Sequence, residues 1–293
     1  MTSLFFNTIF ALLAKLPLRW VHALGAALGQ LTYLVSSRYA QQLRSNLYQS
    51  GLGQADFPAL LKQSIREAGK ASIEIPWVWK HSLDDISAAV QRCEGWEHLL
   101  AAQAQGKGVI LLTPHWGCFE VAGLYVGQRI AMTSLYRTPK QPWLDAMTRA
   151  GRERGLLKMA PADLGGVRAL YKTLKRGDAL FILPDQVPGS GEGEWAPFFG
   201  KPSYTMTLVA RLAQNSGAPL LTTCAERLPH GQGYVLRIEP ITLQEDASIP
   251  AQINRAMEQV IARAPAQYLW SYNRYKTPRG APPPPITTPN QEH

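Results

Sequence analysis

The stretch Val109-Ile110-Leu111-Leu112-Thr113-Pro114-His115-Trp116-Gly117-Cys118-Phe119-Glu120 decides how the rest of the chain is read. Its opening apolar run is too short for a helix and is bounded by Gly108 and Pro114, which predicts a buried strand over 109–113. Strands of that kind belong to α/β sheets, where chemistry gathers at the carboxyl ends. His115 stands at such an end. Gly117 loosens the turn, and residues 119–128 are expected to continue as a helix carrying Phe119, Val121, Ala122, Leu124 and Tyr125, with Glu120 in its first turn.

His115 and Glu120 are five positions apart, whereas side chains on one helix meet at i+3 and i+4. The two therefore meet only if His115 occupies the turn and Glu120 reaches back from the helix. That geometry predicts a general base held in one tautomer by Glu120, beside a helix N-terminus whose backbone N–H groups, near Gly117, are candidate oxyanion donors. On spacing alone the pattern is weak, since roughly 0.4 chance matches are expected in a chain of this composition. The surrounding order of strand, Pro, His, Trp, Gly and helix strengthens it. Cys118 is an alternative nucleophile with no natural base of its own, and Trp116 reads as packing that fixes the turn.

Downstream, helices and strands alternate. A helix through Leu99 and Leu100 precedes the strand; after the histidine helix come a strand at 130–135, a helix at about 142–154, a helix near 166–175 and a strand at 179–183 ending in Pro184-Asp185-Gln186. Residues 188–194 read as a mobile Gly-rich loop, with a lid over the site as one alternative. Phe198-Phe199-Gly200-Lys201-Pro202 closes this loop, a helix follows at 205–215, and strands at 218–223 and 234–238 precede a last helix at 249–263. The fold class is α/β, a mainly parallel sheet flanked by helices. No Walker A, dinucleotide fingerprint or G-x-S-x-G elbow is present.

Upstream, residues 2–14 carry no charge, and a second charge-free run extends over 20–37. The first is too short to span a bilayer and the second sits at the lower limit. Together they predict an N-terminal apolar helical membrane-binding hairpin; a cleaved signal peptide and a pair of ordinary core helices are the alternatives. The cations Arg38, Arg44, Lys62, Arg66 and Lys70 follow these runs, which places the bulk of the protein on the cytoplasmic side. A helix capped by Asp56 and running to about residue 71 is expected to end at Ile75-Pro76-Trp77-Val78-Trp79, an aromatic cluster read as a core plug or an acyl-chain wall.

The 293 residues are 46% hydrophobic, which excludes disorder for most of the chain. A net charge of +9 calls for an anionic partner. The Lys and Arg are dispersed rather than gathered among aromatics, which disfavours nucleic acid. Three cysteines without a C-x-x-C give neither a disulfide framework nor a zinc site. Three units result: membrane-associated helices at 1–50, a catalytic α/β domain at 51–276, and a proline-rich tail at 277–293 expected to be disordered.

Several of these pieces together resemble the late lipid A acyltransferases, the lauroyl and myristoyl transferases of the lysophospholipid-acyltransferase-like superfamily. The carrying residues are the His115-to-Glu120 motif, Tyr136-Arg137-Thr138-Pro139, Gly151-Arg152, Leu183-Pro184-Asp185-Gln186, Phe198-Phe199-Gly200, Gln267-Tyr268-Leu269-Trp270 and Arg274-Tyr275-Lys276. The resemblance implies acyl transfer from acyl carrier protein to a hydroxyl of a lipid A precursor, at the cytoplasmic face of the inner membrane, with no metal and no cofactor. Family members often carry a longer insert around Asp185. Within that reading His115 is the base and Glu120 orients it. Arg137 is placed to hold a phosphate or the thioester region, Asp185 to position a hydroxyl or organise Arg137, and Arg152 and Arg274 to meet anionic head groups. Coenzyme A as donor, another glycolipid or an amino lipid as acceptor, and a His–Glu thioesterase or hydrolase remain open, as does a non-enzymatic lipid-binding protein with a buried His–Glu pair.

Overall fold

The computed structural model describes residues 2–285, with side chains from residue 6 onward. Three helices open the chain: α1 (Thr2–Ala14), α2 (Leu18–Val35) and α3 (Ser37–Gln49). They are followed by the long α4 (Phe57–Lys80), then α5 (Leu83–Ala89), β1 (Val90–Glu94), α6 (Trp96–Gln103), β2 (Val109–Leu112), α7 (Phe119–Gly127), β3 (Met132–Tyr136) and α8 (Pro142–Arg152). Next come β4 (Leu157–Pro161), α9 (Leu164–Lys175), β5 (Ala179–Ile182), β6 (Gly193–Phe198), β7 (Lys201–Met206), α10 (Leu208–Ser216), β8 (Leu220–Arg227), β9 (Tyr234–Ile241) and α11 (Ile249–Arg263).

Seven strands form one sheet in the order β1-β9-β8-β2-β5-β3-β4. All neighbours run parallel except β8 and β9. β2 lies in the middle, and both its faces are covered: Ile110 and Leu112 point into one core and Val109 and Leu111 into the other. That double burial is why its sequence runs apolar without alternation. The parallel strands β2, β5 and β3 end together, so His115, Asp185 and Arg137 leave one edge of the sheet.

Two strands that the sequence reading passes over, β1 and β4, are the two ends of the sheet. Edge strands are short and tolerate charge, and Gln91, Arg92 and Lys158 are exposed. The loop read at 188–194 extends only to residue 192, and the stretch from 193 through Phe198–Pro202 is instead a two-stranded antiparallel hairpin, β6–β7. Its turn is Phe199-Gly200, both at positive φ (45° and 72°), the conformation of a two-residue hairpin turn. A phenylalanine in the left-handed region hides that signal, and residues 205–206 belong to β7 rather than to the following helix. The predicted break at Pro76 is also corrected, because α4 continues through it to Lys80. An interior proline costs about 3 kcal/mol, but Trp77 and Val78 just beyond it are buried in the core. Asp56 caps α4 as expected, accepting from the Ala59 N–H at 3.1 Å.

The two apolar N-terminal runs form helices that each pack on α4. Gly25 and Gly29 of α2 lie so close to Gly69 of α4 that a Cβ on Gly69 would overlap the Gly25 carbonyl. On α1, Phe6 stacks on Trp143 with ring centroids 4.9 Å apart, and Phe10 lies 6.2 Å from Trp79. The outer face of α2 leaves Trp20, Leu24, Leu28, Leu31, Leu34 and Val35 exposed. Among the described residues no helix is long and apolar enough to cross a membrane. Of the proline-rich tail, residues 277–285 have neither helix nor strand, and the Trp195 indole N–H donates to the Pro282 carbonyl at 3.0 Å. Residues 286–293 lie outside the described part.

Candidate active site

β2 delivers Pro114 and His115 into a tight turn before α7. Gly117 takes φ +55°, and a Cβ there would overlap the Ala225 carbonyl oxygen, so only glycine fits. The turn is clamped by its neighbours. The Leu269 N–H donates to the His115 carbonyl at 2.9 Å, the Gly117 N–H to the Gln267 carbonyl at 3.1 Å and the Cys118 N–H to the Ala225 carbonyl at 2.9 Å. Trp116, fully buried, donates its indole N–H to the Ala264 carbonyl at 2.9 Å. The Gln267-Tyr268-Leu269-Trp270 segment is thus the bracket of the turn.

The carboxylate that meets His115 is Asp185, not Glu120. His115 Nδ1 lies 2.7 Å from Asp185 Oδ1, and the His115 backbone N–H donates to Asp185 Oδ2 at 2.8 Å. Asp185 is only 2% exposed. Burial pushes its carboxyl upward, but the adjacent His115, its two hydrogen bonds and the charge of Arg274 outweigh burial and hold it below the usual range. The side-chain amide nitrogen of Gln186 stands 3.1 Å from the other ring nitrogen, His115 Nε2. Phe119 closes one side, its ring centroid 5.2 Å from that of His115.

Glu120 faces away, into an ion pair of its own. Arg152 Nε lies 3.0 Å from both carboxylate oxygens and its Nη2 also bonds Oε1, while the Trp79 indole N–H donates at 3.1 Å. The helical phase explains the change. From the first turn of α7, Glu120 projects toward α4 and α8, which carry Trp79 and Arg152. Burial works against the charge of Arg152, yet Glu120 overrides it and the guanidinium is held above its ordinary value. Arg152 lies 5.9 Å from the Phe119 ring centroid, so Arg152 and His115 both neighbour Phe119.

Two further expectations change, the Gly117 donor and the role of Arg274. The Gly117 N–H is consumed by Gln267 and is not an open oxyanion donor. Arg274, 2% exposed, is a buried strut, donating to the Tyr204 carbonyl, Thr205 Oγ1 and Asn254 Oδ1, so it cannot meet a head group. Cys118 is buried, which pushes its thiol well above the ordinary range and against a nucleophilic role. Arg137 does emerge exposed after β3 at the same sheet edge. Among the described residues no cluster of His, Cys, Asp or Glu is placed to hold a metal.

Sequence reasoning passed over a buried network behind the turn. Arg227, at the end of β8, donates to the Gly117 carbonyl at 2.8 Å and pairs with Glu74 and Glu67. Glu74 also takes the Tyr234 hydroxyl at 3.0 Å and His22 Nε2 at 3.2 Å. Burial pushes the Glu74 carboxyl up, but Arg227 and His22 bring it down to about 2. The network ties α2, α4 and β8 to the turn that carries His115, and no local spacing announces it.

A family described as bacterial lipid A biosynthesis acyltransferase matches residues 1–277. The lipid A biosynthesis lauroyltransferase of Escherichia coli K12 is 28% identical over 287 residues, covering 92% of this chain and 90% of the relative. The palmitoleoyltransferase of the same strain is 30% identical over 227 residues, covering 74% and 72%. A phosphatidylinositol mannoside acyltransferase of Mycobacterium tuberculosis is 27% identical over 187 residues, covering 59% and 56%. The crystal structure of the 1-acyl-sn-glycerophosphate acyltransferase of Thermotoga maritima superposes with a TM-score of 0.34 at 14% identity, covering 83% of this chain and 95% of that one. With the match running from the first residue through the turn, the Asp185 strand end and the Gln267–Trp270 bracket, the chain belongs to the bacterial lipid A biosynthesis acyltransferases and is an acyltransferase.

Proposed function

We propose that this enzyme moves a fatty acyl chain from an acyl carrier protein thioester to a hydroxyl of a lipid A precursor, with His115 as general base and Asp185 as the carboxylate that orients it. The supporting observation is the His115–Asp185 pair at the carboxyl edge of the sheet. Asp185 accepts the Nδ1 proton, which leaves the Nε2 lone pair as the basic site. The acceptor hydroxyl gives its proton to Nε2 as its oxygen bonds the acyl carbon, the C–S bond breaks, and the imidazolium returns the proton to the leaving thiolate. A positioned base contributes about 10² to 10⁴ in rate.

The oxyanion needs donors other than Gly117. The N–H groups of Phe119 and Glu120 open α7 and are the nearest members of a helix N-terminus; an aimed donor is worth about 3 kcal/mol. Exposed Arg137 at the same edge is suited to an anionic group of either substrate. Glu120 serves the site by holding Arg152 and Trp79 beside Phe119.

The exposed apolar face of α2, with Lys15 and Arg19 before it and Arg38 after it, fits a helix lying in the plane of an anionic membrane surface. This reading keeps the catalytic edge at the cytoplasmic face of the inner membrane, where the acceptor is a lipid. A different glycolipid acceptor is the second reading, carried by the likeness to the mannoside acyltransferase.

The test is an assay of membranes holding the protein with labelled acyl carrier protein thioester and a tetra-acylated lipid A precursor, the product followed by mass. Wild type is expected to add one acyl chain, and His115→Ala to do so at least about 10²-fold more slowly. Undiminished turnover by His115→Ala would remove the general-base assignment. Transfer to a mannosylated phosphatidylinositol but not to the precursor would establish the second reading.

A further inference from the structure

We propose that Gln186 guards the catalytic base: its side-chain amide occupies His115 Nε2 until an acceptor hydroxyl displaces it, and so suppresses hydrolysis of the acyl thioester. The inference rests on the transferase reading and on His115 as its base.

Asp185, a buried carboxylate 2.7 Å from Nδ1, accepts a proton there, so the neutral imidazole keeps a single lone pair, on Nε2. Gln186 places its amide nitrogen 3.1 Å from that lone pair. The amide nitrogen donates and the amide oxygen cannot, which fixes the orientation of the group. The base therefore rests with its only acceptor position filled by a protein donor.

The backbone around Gln186 is held on both sides. Asp185 precedes it, anchored twice on His115, and the Val187 N–H donates to the Tyr272 hydroxyl at 2.9 Å. The side chain is less constrained. Gln186 is half-buried, and the contact with His115 is the one hydrogen bond of its side chain among the described residues. Rotation about its side-chain torsions uncovers Nε2 without disturbing the Asp185 pair.

An acyltransferase working on a thioester needs such a device because water is the competing nucleophile. Water that reaches Nε2 beside a bound thioester gives up a proton to it, its oxygen bonds the acyl carbon, the C–S bond breaks, and the thiol leaves with that proton. The products are a free fatty acid and a thiol, and the donor is wasted. A single water brings little binding energy with which to displace the amide. An acceptor held by contacts along its whole length arrives with its hydroxyl already aimed and takes over the lone pair. Gln186 is thus a positioning residue that acts through His115.

The decisive quantity is the ratio of hydrolysis to transfer. The full-length protein in membranes is given a dodecanoyl thioester of acyl carrier protein, with and without tetra-acylated lipid A precursor, and free fatty acid and acylated lipid are both measured. Gln186→Ala is expected to raise the ratio by about two- to tenfold, the scale of one lost neutral hydrogen bond. Gln186→Met, matched in length but unable to donate, is expected to move it the same way, so that loss of side-chain volume in Gln186→Ala does not decide the result. The double variant Gln186→Ala/His115→Ala is expected to lose the added hydrolysis. A ratio unchanged in both single variants, or hydrolysis that persists without His115, overturns the guarding role. Absence of transfer by the wild-type protein removes instead the proposed donor and acceptor on which the inference rests.

Discussion

His115 carries the proposed chemistry only because a carboxylate from elsewhere in the chain faces its Nδ1. Asp185→Asn keeps the size of that partner and removes its charge, so it is expected to reduce kcat by about 10² or more while changing KM for the acceptor little. Glu120→Gln should cost less turnover, because it leaves the His115–Asp185 pair intact and loosens Arg152 instead. Steady-state rates of the two variants with one donor check this ranking. The opposite order would return the orienting role to Glu120. His115 itself was legible at once as the residue ending a buried strand. Its partner was not, because Asp185 lies 70 positions away and meets it only when β2 and β5 pair.

At the level of elements, α2 has two dissimilar faces. The inner one is Gly25, Ala26 and Gly29 against α4, an approach that small side chains allow. The outer one is leucine-rich and has Leu34 80% exposed. Burying a leucine is worth about 1.5–3 kcal/mol, so Leu28→Glu with Leu31→Glu is expected to lower partition onto phosphatidylglycerol vesicles by at least about tenfold in a sedimentation assay. The soluble fraction should retain its helix content, since neither side chain belongs to the core. Vesicle binding equal to wild type would mean that this face does not meet lipid. The charge-free runs announced an apolar N-terminus, but the close packing of α2 on α4 depends on Gly69 of α4 meeting Gly25 and Gly29 of α2, a match that no local pattern records.

Over the whole molecule, the network of Glu74, Arg227, Glu67, Tyr234 and His22 joins the N-terminal helices to the sheet and ends on the Gly117 carbonyl. Its acid dependence has a definite sign. The Glu74 carboxyl is held at about 2 in the fold, below its ordinary 4.5. Its contribution is therefore complete above the ordinary value and is lost as pH falls from there toward 2. A contribution on the order of 3 kcal/mol is expected to disappear over that window. Denaturant unfolding at a series of pH values checks it: Glu74→Gln should flatten the acid limb. At neutral pH the same variant should be less stable by about 3–5 kcal/mol, because it leaves Arg227 buried with weakened compensation. An acid limb as steep as wild type would move that linkage to other carboxylates.

The amino-acid sequence by itself determined the α/β class, the central buried strand, the histidine at its end, the capped start of α4 and the span of α11, because each follows from periodicity, length or turn chemistry within a few residues. It also carried, as ordered motifs, the resemblance to a family that the match over residues 1–277 then established. The tertiary structure alone decided which carboxylate serves His115, that Arg274 is a strut, that the Gly117 N–H is spent on Gln267, and that β1 and β4 complete the sheet. The physical reason is common to all four. Hydrogen bonds and ion pairs form between groups brought together by strand order and helix phase, and sequence distance carries no record of that order. Edge strands add a second reason: with one side open to solvent they need no apolar run, and without it they resemble loops.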